Sequence, residues 1–289
     1  MEAGERIENA LQRAVQRTTD ETAPPKLAAA IHHAVFPGGA RVRPRLTLAV
    51  ASACGEADGD LVDGTATAIE LLHCASLVHD DLPCFDDASI RRGQASVHAA
   101  FGTPIALLAG DALIVLAFDT LARSSGRSPH LLAPLITAIA QGAGAPTGIA
   151  AGQAWESEPN PPSVRYRLAK TGALFVAATM SGALASGADP TAWRSLGLRL
   201  GEAYQVADDL LDAVSAAADC DKPVGRDAIL GRPNTVAELG VSGAMAHLEK
   251  LIDAAMDAIP PCQGEKELRD LVRLQALRLA PKHPAHQAA

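Results

Sequence analysis

Two groups of aspartates are the side chains of this sequence best suited to chemistry. Asp80, Asp81 and Asp86 form an Asp-Asp-x4-Asp pattern, and Asp208, Asp209 and Asp212 form Asp-Asp-x-x-Asp. Carboxylates this close repel one another unless a cation joins them. Hard oxygen donors suit Mg²⁺, which is usually shared between a few carboxylates and substrate phosphates. Arg91 and Arg92 follow the first group at once, and the second is followed by Lys222-Pro-Val-Gly-Arg-Asp227. Guanidinium groups grip phosphate through paired N–H bonds, so acids backed by cations point to magnesium ions, several per site, and a diphosphate. Two such groups facing each other would make diphosphate a good leaving group. Its loss leaves an allylic cation, which an alkene carrying its own diphosphate can attack. The first group taken by itself also reads as a solvated loop of mixed charge. The second changes the balance, because like charges four apart weaken a helix and a metal explains their presence better than stability does. A calcium loop fits less well, since the Asp-x-Asp-x-Asp-Gly spacing is absent, and no P-loop or Gly-x-Ser-x-Gly elbow occurs.

The elements that position these residues read as helices. Asp80 closes an apolar helix, Ala66 to Val78, and Pro83 cannot continue the helical hydrogen-bond ladder, so the chain bends there and can bring Asp86 back towards Asp80. Asp208 and Asp212 lie four apart on one helical face, with Gln205 on the same side. Apolar residues recur at three- and four-residue spacing almost throughout. Helices are expected over about 3–19, 26–36, 44–54, 60–82, 103–124, 130–143, 145–157, 163–187, 190–217, 235–239, 242–258 and 264–279, with no sheet, and the tail after Pro281 is expected to fray. Pro and Gly mark the breaks at Pro37 to Gly39, Pro159 to Pro162 and Lys222 to Gly225.

The 289 residues contain no linker-like stretch, so the expectation is an all-α, single-domain helical bundle, 1–289, around a central apolar cavity. Hydrophobic residues make up 48% of the chain and aromatics 3%, which leaves Ala, Leu, Val and Ile to build the core. A net charge of −8 gives no electrostatic case for nucleic acid or an anionic membrane surface. Five cysteines without a Cys-x-x-Cys suit a reducing cytoplasm. The N-terminus is charged from Glu2, unlike a signal peptide. The longest apolar run, Ile105 to Phe118, is broken by Gly110 and Asp111 and reads as too short and too polar to span a bilayer.

Further motifs stand in order around the acids: Gly38-Gly-Ala-Arg-Val-Arg-Pro44, His73-Cys-Ala-Ser-Leu-Val-His-Asp-Asp, Arg91-Arg-Gly, Gly110-Asp111, Gly152-Gln153, Lys170-Thr171-Gly172, Gln205 to Asp212 and Lys222-Pro-Val-Gly. Over about residues 25 to 245 the chain resembles the polyprenyl (isoprenyl) diphosphate synthase family, and within it most of all the geranylgeranyl diphosphate synthases of purple photosynthetic bacteria. The resemblance implies head-to-tail condensation of isopentenyl diphosphate with an allylic diphosphate in a homodimeric enzyme, with a product for carotenoid biosynthesis. Asp80, Asp81 and Asp86, with Asp208 and Asp212, match the magnesium-binding positions, and Asp209 belongs to the same catalytic group. Arg91, Lys170, Thr171, Gln205 and Lys222 match positions that hold the allylic diphosphate. Arg43, His73 and Arg92, assisted by Arg41, match those that hold isopentenyl diphosphate. Taken singly, His73 reads as a core histidine and Lys170 as a surface lysine; their order relative to the acids is what raises them.

Several positions depart from the family pattern. Ala40 stands where a lysine is usual, which removes a cation from the isopentenyl site. Glu156 stands where an Asp is more common after the Gly-Gln pair, and Arg232-Pro233-Asn234 is unusual. In the family an aromatic five residues before the first Asp stops growth at fifteen carbons. Here Ala75, with Ser76 beside it, is small, and Leu71 and Leu72 lie one turn deeper. Leu113, Leu116 and Phe118 are expected on the opposite wall. Geranylgeranyl diphosphate is therefore the expected product, ahead of a farnesyl or longer-chain diphosphate. A class I terpene cyclase would want an Asn-Ser-Glu type second motif and more aromatics, and an inactive partner subunit would not keep both acidic groups intact. Apolar helices such as 103–124 and 130–143 could form the dimer interface.

Overall fold

The computed structural model describes residues 2–19, 22–36, 38–160, 162–214 and 234–279. The helices are α1 (Ala3–Gln16), α2 (Pro25–Val35), α3 (Val42–Ala53), α4 (Gly59–Asp80), α5 (Val97–Phe101), α6 (Thr103–Ser124), α7 (Leu132–Ala143), α8 (Ile149–Trp155), α9 (Ser163–Arg167), α10 (Ala173–Ala185), α11 (Arg194–Val214), α12 (Thr235–Asp257) and α13 (Glu265–Leu279). A π-helical turn, Leu168–Gly172, joins α9 to α10, so the run expected over 163–187 is one bent element. The break expected near residue 240 is a kink inside α12, where Gly240 takes φ 69°. The helix expected from 145 begins at Ile149, because a turn around Pro146 separates it from α7.

The all-helical expectation holds with one small correction. Ile90–Arg91 (β1) and Gln94–Ala95 (β2) pair antiparallel. Two-residue strands are too short to show alternation in sequence. Their turn, Arg92-Gly93, has φ 53° and 71°, the doubly positive form whose twist matches a hairpin. The short α5 behind it was not expected either.

The core forms around α4. Asp58 caps this helix by accepting from the Leu61 N–H at 3.4 Å. Beyond the cap nearly every side chain to Ala75 is buried, including Thr65, Thr67 and Glu70. A helix packed on all sides has no reason to be amphipathic, and α1, α2, α3, α6 and α10 all pack against this one. Leu61, Ile69 and Leu71 are wholly buried, each contributing about 1.5–3 kcal/mol of hydrophobic free energy. Two glycines set the pairing of α4 with α6. A Cβ on Gly64 would overlap Ser124, and a Cβ on Gly110 would overlap the His79 ring. The two helices are thus antiparallel and in close contact along their length. A second cluster joins α11 to α12 through Val206, Leu210, Leu248 and Leu251.

The sequence reading found no run able to span a bilayer, but three helices are long and apolar enough by length and composition: Gly59–Asp80, Thr103–Ser124 and Val164–Ala185. α6 runs unbroken through Gly110 and Asp111, which is why the shorter run was misleading. The first and third are mostly buried within the protein, whereas α6 is less than half buried.

Candidate active site

A cavity of about 1010 Å³ opens between α4, α6, α7, α8 and α11. Its mouth carries Asp80, Asp208, Lys170, Arg91 and Arg92, and its interior carries small and apolar side chains such as Ala75, Ser76, Ala140 and Ala143. Charge at one end and hydrocarbon at the other suit an amphiphilic ligand with a phosphate head.

The first acidic group is assembled as the Pro83 bend requires. The chain turns back after α4, and the Asp86 N–H donates to the Asp80 carbonyl at 2.9 Å. Asp80, Asp86 and Glu156 each offer an oxygen, all within 4.8 Å of one another. Asp80 Oδ1 is buried and accepts no hydrogen bond. Burial, with Asp86 and Glu156 close by, raises the Asp80 pKa against the pull of Lys170 and Arg91. Three convergent carboxylates with an unsatisfied oxygen fit a hard divalent cation such as magnesium. Glu156 is the member that sequence reasoning missed. It was noted only as a departure, and its signal was its place three residues after Gln153. The Gln153 amide donates to Glu156 Oε2 at 3.0 Å and Tyr166 Oη to Oε1 at 2.7 Å. Lys170 Nζ pairs with Glu156 and lies 3.7 Å from Asp80 Oδ1.

Asp81, expected to join this cluster, faces elsewhere. It is buried and receives Arg91 Nε at 3.0 and 3.2 Å, so it anchors Arg91 at the end of the hairpin. Arg91 Nη2 remains 3.7 Å from Asp80 Oδ2.

On α11, Asp208 lines the cavity mouth, and Asp212 lies one turn further along. Asp209 is buried on the other side, accepting from the Thr235 N–H at 2.7 Å and from Gln205 Nε2 at 3.0 Å. It therefore ties α11 to the start of α12, where Asn234 caps by accepting from Val236 N–H at 2.8 Å. Gln205 also accepts from Thr171 Oγ1 at 2.7 Å, which fixes the π turn that carries Lys170. Lys222 and the loop around it lie outside the described residues.

A patch of positive charge faces the acids. Arg43, His73 and Arg92 all line the cavity. The Arg43 guanidinium lies 4.6 Å from the Phe175 ring centre and 5.8 Å from that of Tyr204. Its Nη1 is 3.3 Å from His73 Nε2, and its Nε is buried with no hydrogen-bond partner. Burial, reinforced by the Arg43 and Arg92 charges, holds the His73 pKa well below its ordinary value, so the ring is neutral and can accept from Arg43. Such a patch, partly buried and with the Arg43 Nε unpartnered, suits an anion. Arg41, expected here, points away: its guanidinium binds Glu70 at 2.7 Å, Glu8 at 2.8 Å and the Val35 carbonyl at 2.8 Å. Among the predicted wall residues, Leu72, Ala75, Ser76 and Phe118 line the cavity. Leu71, Leu113 and Leu116 do not; Ile114 takes that side of α6.

The Polyprenyl synthetase family model matches residues 24–269. The chain is 51% identical over 281 residues to a geranylgeranyl diphosphate synthase of Cereibacter sphaeroides, covering 97% of this chain and 98% of that one. It is 47% identical over 279 residues to a geranylgeranyl diphosphate synthase of Rhodobacter capsulatus, covering 96% of each. Among solved structures, a geranyltransferase of Helicobacter pylori complexed with magnesium and isoprenyl diphosphate superposes with a TM-score of 0.79 at 26% identity, covering 96% of this chain and 98% of that one.

Proposed function

The chain belongs to the polyprenyl synthetase family, and from that premise we propose that it condenses isopentenyl diphosphate with allylic diphosphates to make geranylgeranyl diphosphate. The observation that carries this reading is one cavity with acids and cations at its mouth and a small-residue wall at Ala75 and Ser76 behind them.

In this reading Asp80, Asp86 and Glu156 would hold magnesium, and Asp208 with Asp212 would add ligands from α11. Bound magnesium neutralises the leaving diphosphate. Lys170 and Arg91 add fixed positive charge beside it, and Asp81 and Glu156 keep those two cations in place. Thr171 and Gln205 set the turn that presents Lys170, and Lys222 belongs to the same allylic side by resemblance. Arg43, Arg92 and neutral His73 hold the diphosphate of isopentenyl diphosphate, whose alkene faces the allylic carbon. The allylic C–O bond breaks, a C–C bond forms, and a proton leaves the condensed cation, with the departing diphosphate as its acceptor. The apolar cavity shields the cation from water.

The protein acts in the cytoplasm, where its charged substrates dissolve, and takes up no stable place in the bilayer. We assign it a homodimer through the outer face of α6 and α7, where Leu107, Leu108, Val115 and Ile136 are exposed. An apolar patch on a helix this hydrophobic marks an interface. Sedimentation should give twice the chain mass, and a monomer would remove the assignment.

Incubation with isopentenyl diphosphate and dimethylallyl, geranyl or farnesyl diphosphate tests the activity. With magnesium a twenty-carbon alcohol should appear after dephosphorylation, and without it none. A fifteen-carbon product would keep the chemistry and discard the reading of Ala75. No elongation from any primer would favour an inactive partner subunit.

A further inference from the structure

We propose that Arg41 is a positioning residue for isopentenyl diphosphate, whose buried ion pair with Glu70 sets the places of Arg43, His73 and Arg92. The inference rests on the prenyl-condensing reading above. It concerns a side chain that faces away from the cavity and acts only through its neighbours.

Arg41 and Glu70 are both buried, 4% and 1% exposed. Arg41 stands at the start of α3 with its backbone in the left-handed region, φ 49° and ψ 39°. A residue other than glycine holds this form only where its surroundings impose it. Here the guanidinium donates to Glu70, to Glu8 and to the Val35 carbonyl, so it ties the start of α3 to α4, α1 and α2 at once. The Arg41 carbonyl accepts from the Arg45 N–H at 3.1 Å, the first bond of α3. Arg43 follows two residues on, so its aim into the cavity is set by where that first turn begins. Glu70 lies three residues before His73, on the same side of α4. Arg92 depends on the loop that leads to Arg41, because its Nη1 donates to the Gly38 carbonyl. A Cβ on Gly39 would meet the Arg92 guanidinium at 2.7 Å. All three members of the patch therefore hang on one pin.

Stability alone does not account for the pair. A buried ion pair adds little net stability, and apolar residues of similar volume often serve as well or better. What the arginine adds is a planar fork that meets acceptors from three separate helices in one fixed geometry. A lysine carries the charge without the fork. The accuracy matters because Ala40, in the same loop, brings no cation of its own. The diphosphate then relies on the aim of the groups that remain.

The test measures kcat and the KM for each substrate, with magnesium, in the full-length wild-type protein and two variants, alongside thermal melts. Arg41→Lys keeps the charge and loses the fork. Arg41→Met combined with Glu70→Leu removes both charges and roughly keeps the volume. In each, the KM for isopentenyl diphosphate should rise about 10- to 100-fold, since a misplacement of about 1 Å can cost as much as 10²-fold. The KM for geranyl diphosphate should hold, because Glu156 and Asp81 anchor Lys170 and Arg91 independently. Folded variants with an unchanged KM for isopentenyl diphosphate would overturn the role of Arg41 while leaving the enzymatic reading intact. Equal rises for both substrates would also overturn it, by making the pair a support for the cavity as a whole. If the double variant melts early, Arg41→Lys decides the matter. A wild-type protein that elongates nothing would overturn the reading of the whole site, and this inference with it.

Discussion

Asp80→Asn should lower turnover by about 10²- to 10³-fold, the scale of removing a main electrostatic contact to developing charge, while helix content and melting temperature hold. The asparagine keeps the shape and gives up the charge. In the folded protein Asp80 Oδ1 is buried without a hydrogen bond, and Asp86 and Glu156 crowd it. Such an arrangement is electrostatically costly to the fold, so the neutral amide does not weaken the resting protein. Its loss is felt when diphosphate must leave, because the cluster then holds one ligand oxygen fewer for magnesium. The defect should shift the magnesium dependence to higher concentration, which a merely structural role would not do. Steady-state turnover across a magnesium series, with circular dichroism of the same samples, checks this. Near-normal turnover would remove Asp80 from the metal site. Lost helix would make the acid structural.

The return of Asp86 to Asp80 was legible in the sequence, because one proline after an apolar helix fixes where the chain must bend. So were the helices, since an Ala- and Leu-rich chain with three- and four-residue periodicity has few other ways to bury itself. Which member of an aspartate pair faces the cavity was not legible. Asp80 and Asp81 differ by one position, about 100° around the helix. That rotation sends one carboxylate to the cavity and the other to Arg91. Asp208 and Asp209 divide in the same way, one to the cavity and one to Thr235. Arg41 and Arg43 looked equivalent as neighbouring cations, but the acids that claim Arg41 are Glu8 and Glu70, distant in sequence and on separate helices. Glu156 had only its place after Gln153 as a signal, for the converse reason: its partners Tyr166 and Lys170 sit on the next helical element, and only the fold brings Asp80 and Asp86 to it.

Arg43→Leu should raise the KM for isopentenyl diphosphate by about 10- to 140-fold, since a hydrogen bond to a charged group contributes about 1.5–3 kcal/mol and about 1.4 kcal/mol is tenfold. The KM for the allylic primer and kcat at saturation should change little. The split follows from position. Arg43 lies at the start of α3, stacked on Phe175 and beside His73, on a different wall from Lys170 and the acidic cluster. Its buried Nε has no partner in the resting protein, so the substitution leaves only His73 Nε2 without its donor, and the fold should survive it. The same patch lacks the cation that the family usually places at position 40, and Ala40 is exposed at the loop that leads into α3. Ala40→Lys should therefore lower the KM for isopentenyl diphosphate in the otherwise native protein and recover part of the loss in Arg43→Leu. A lysine placed at random on the surface would do neither. Equal losses for both substrates in Arg43→Leu would mean that the guanidinium supports the cavity as a whole. An unchanged KM would mean that the isopentenyl diphosphate lies elsewhere, and the patch of Arg43, His73 and Arg92 would need another ligand.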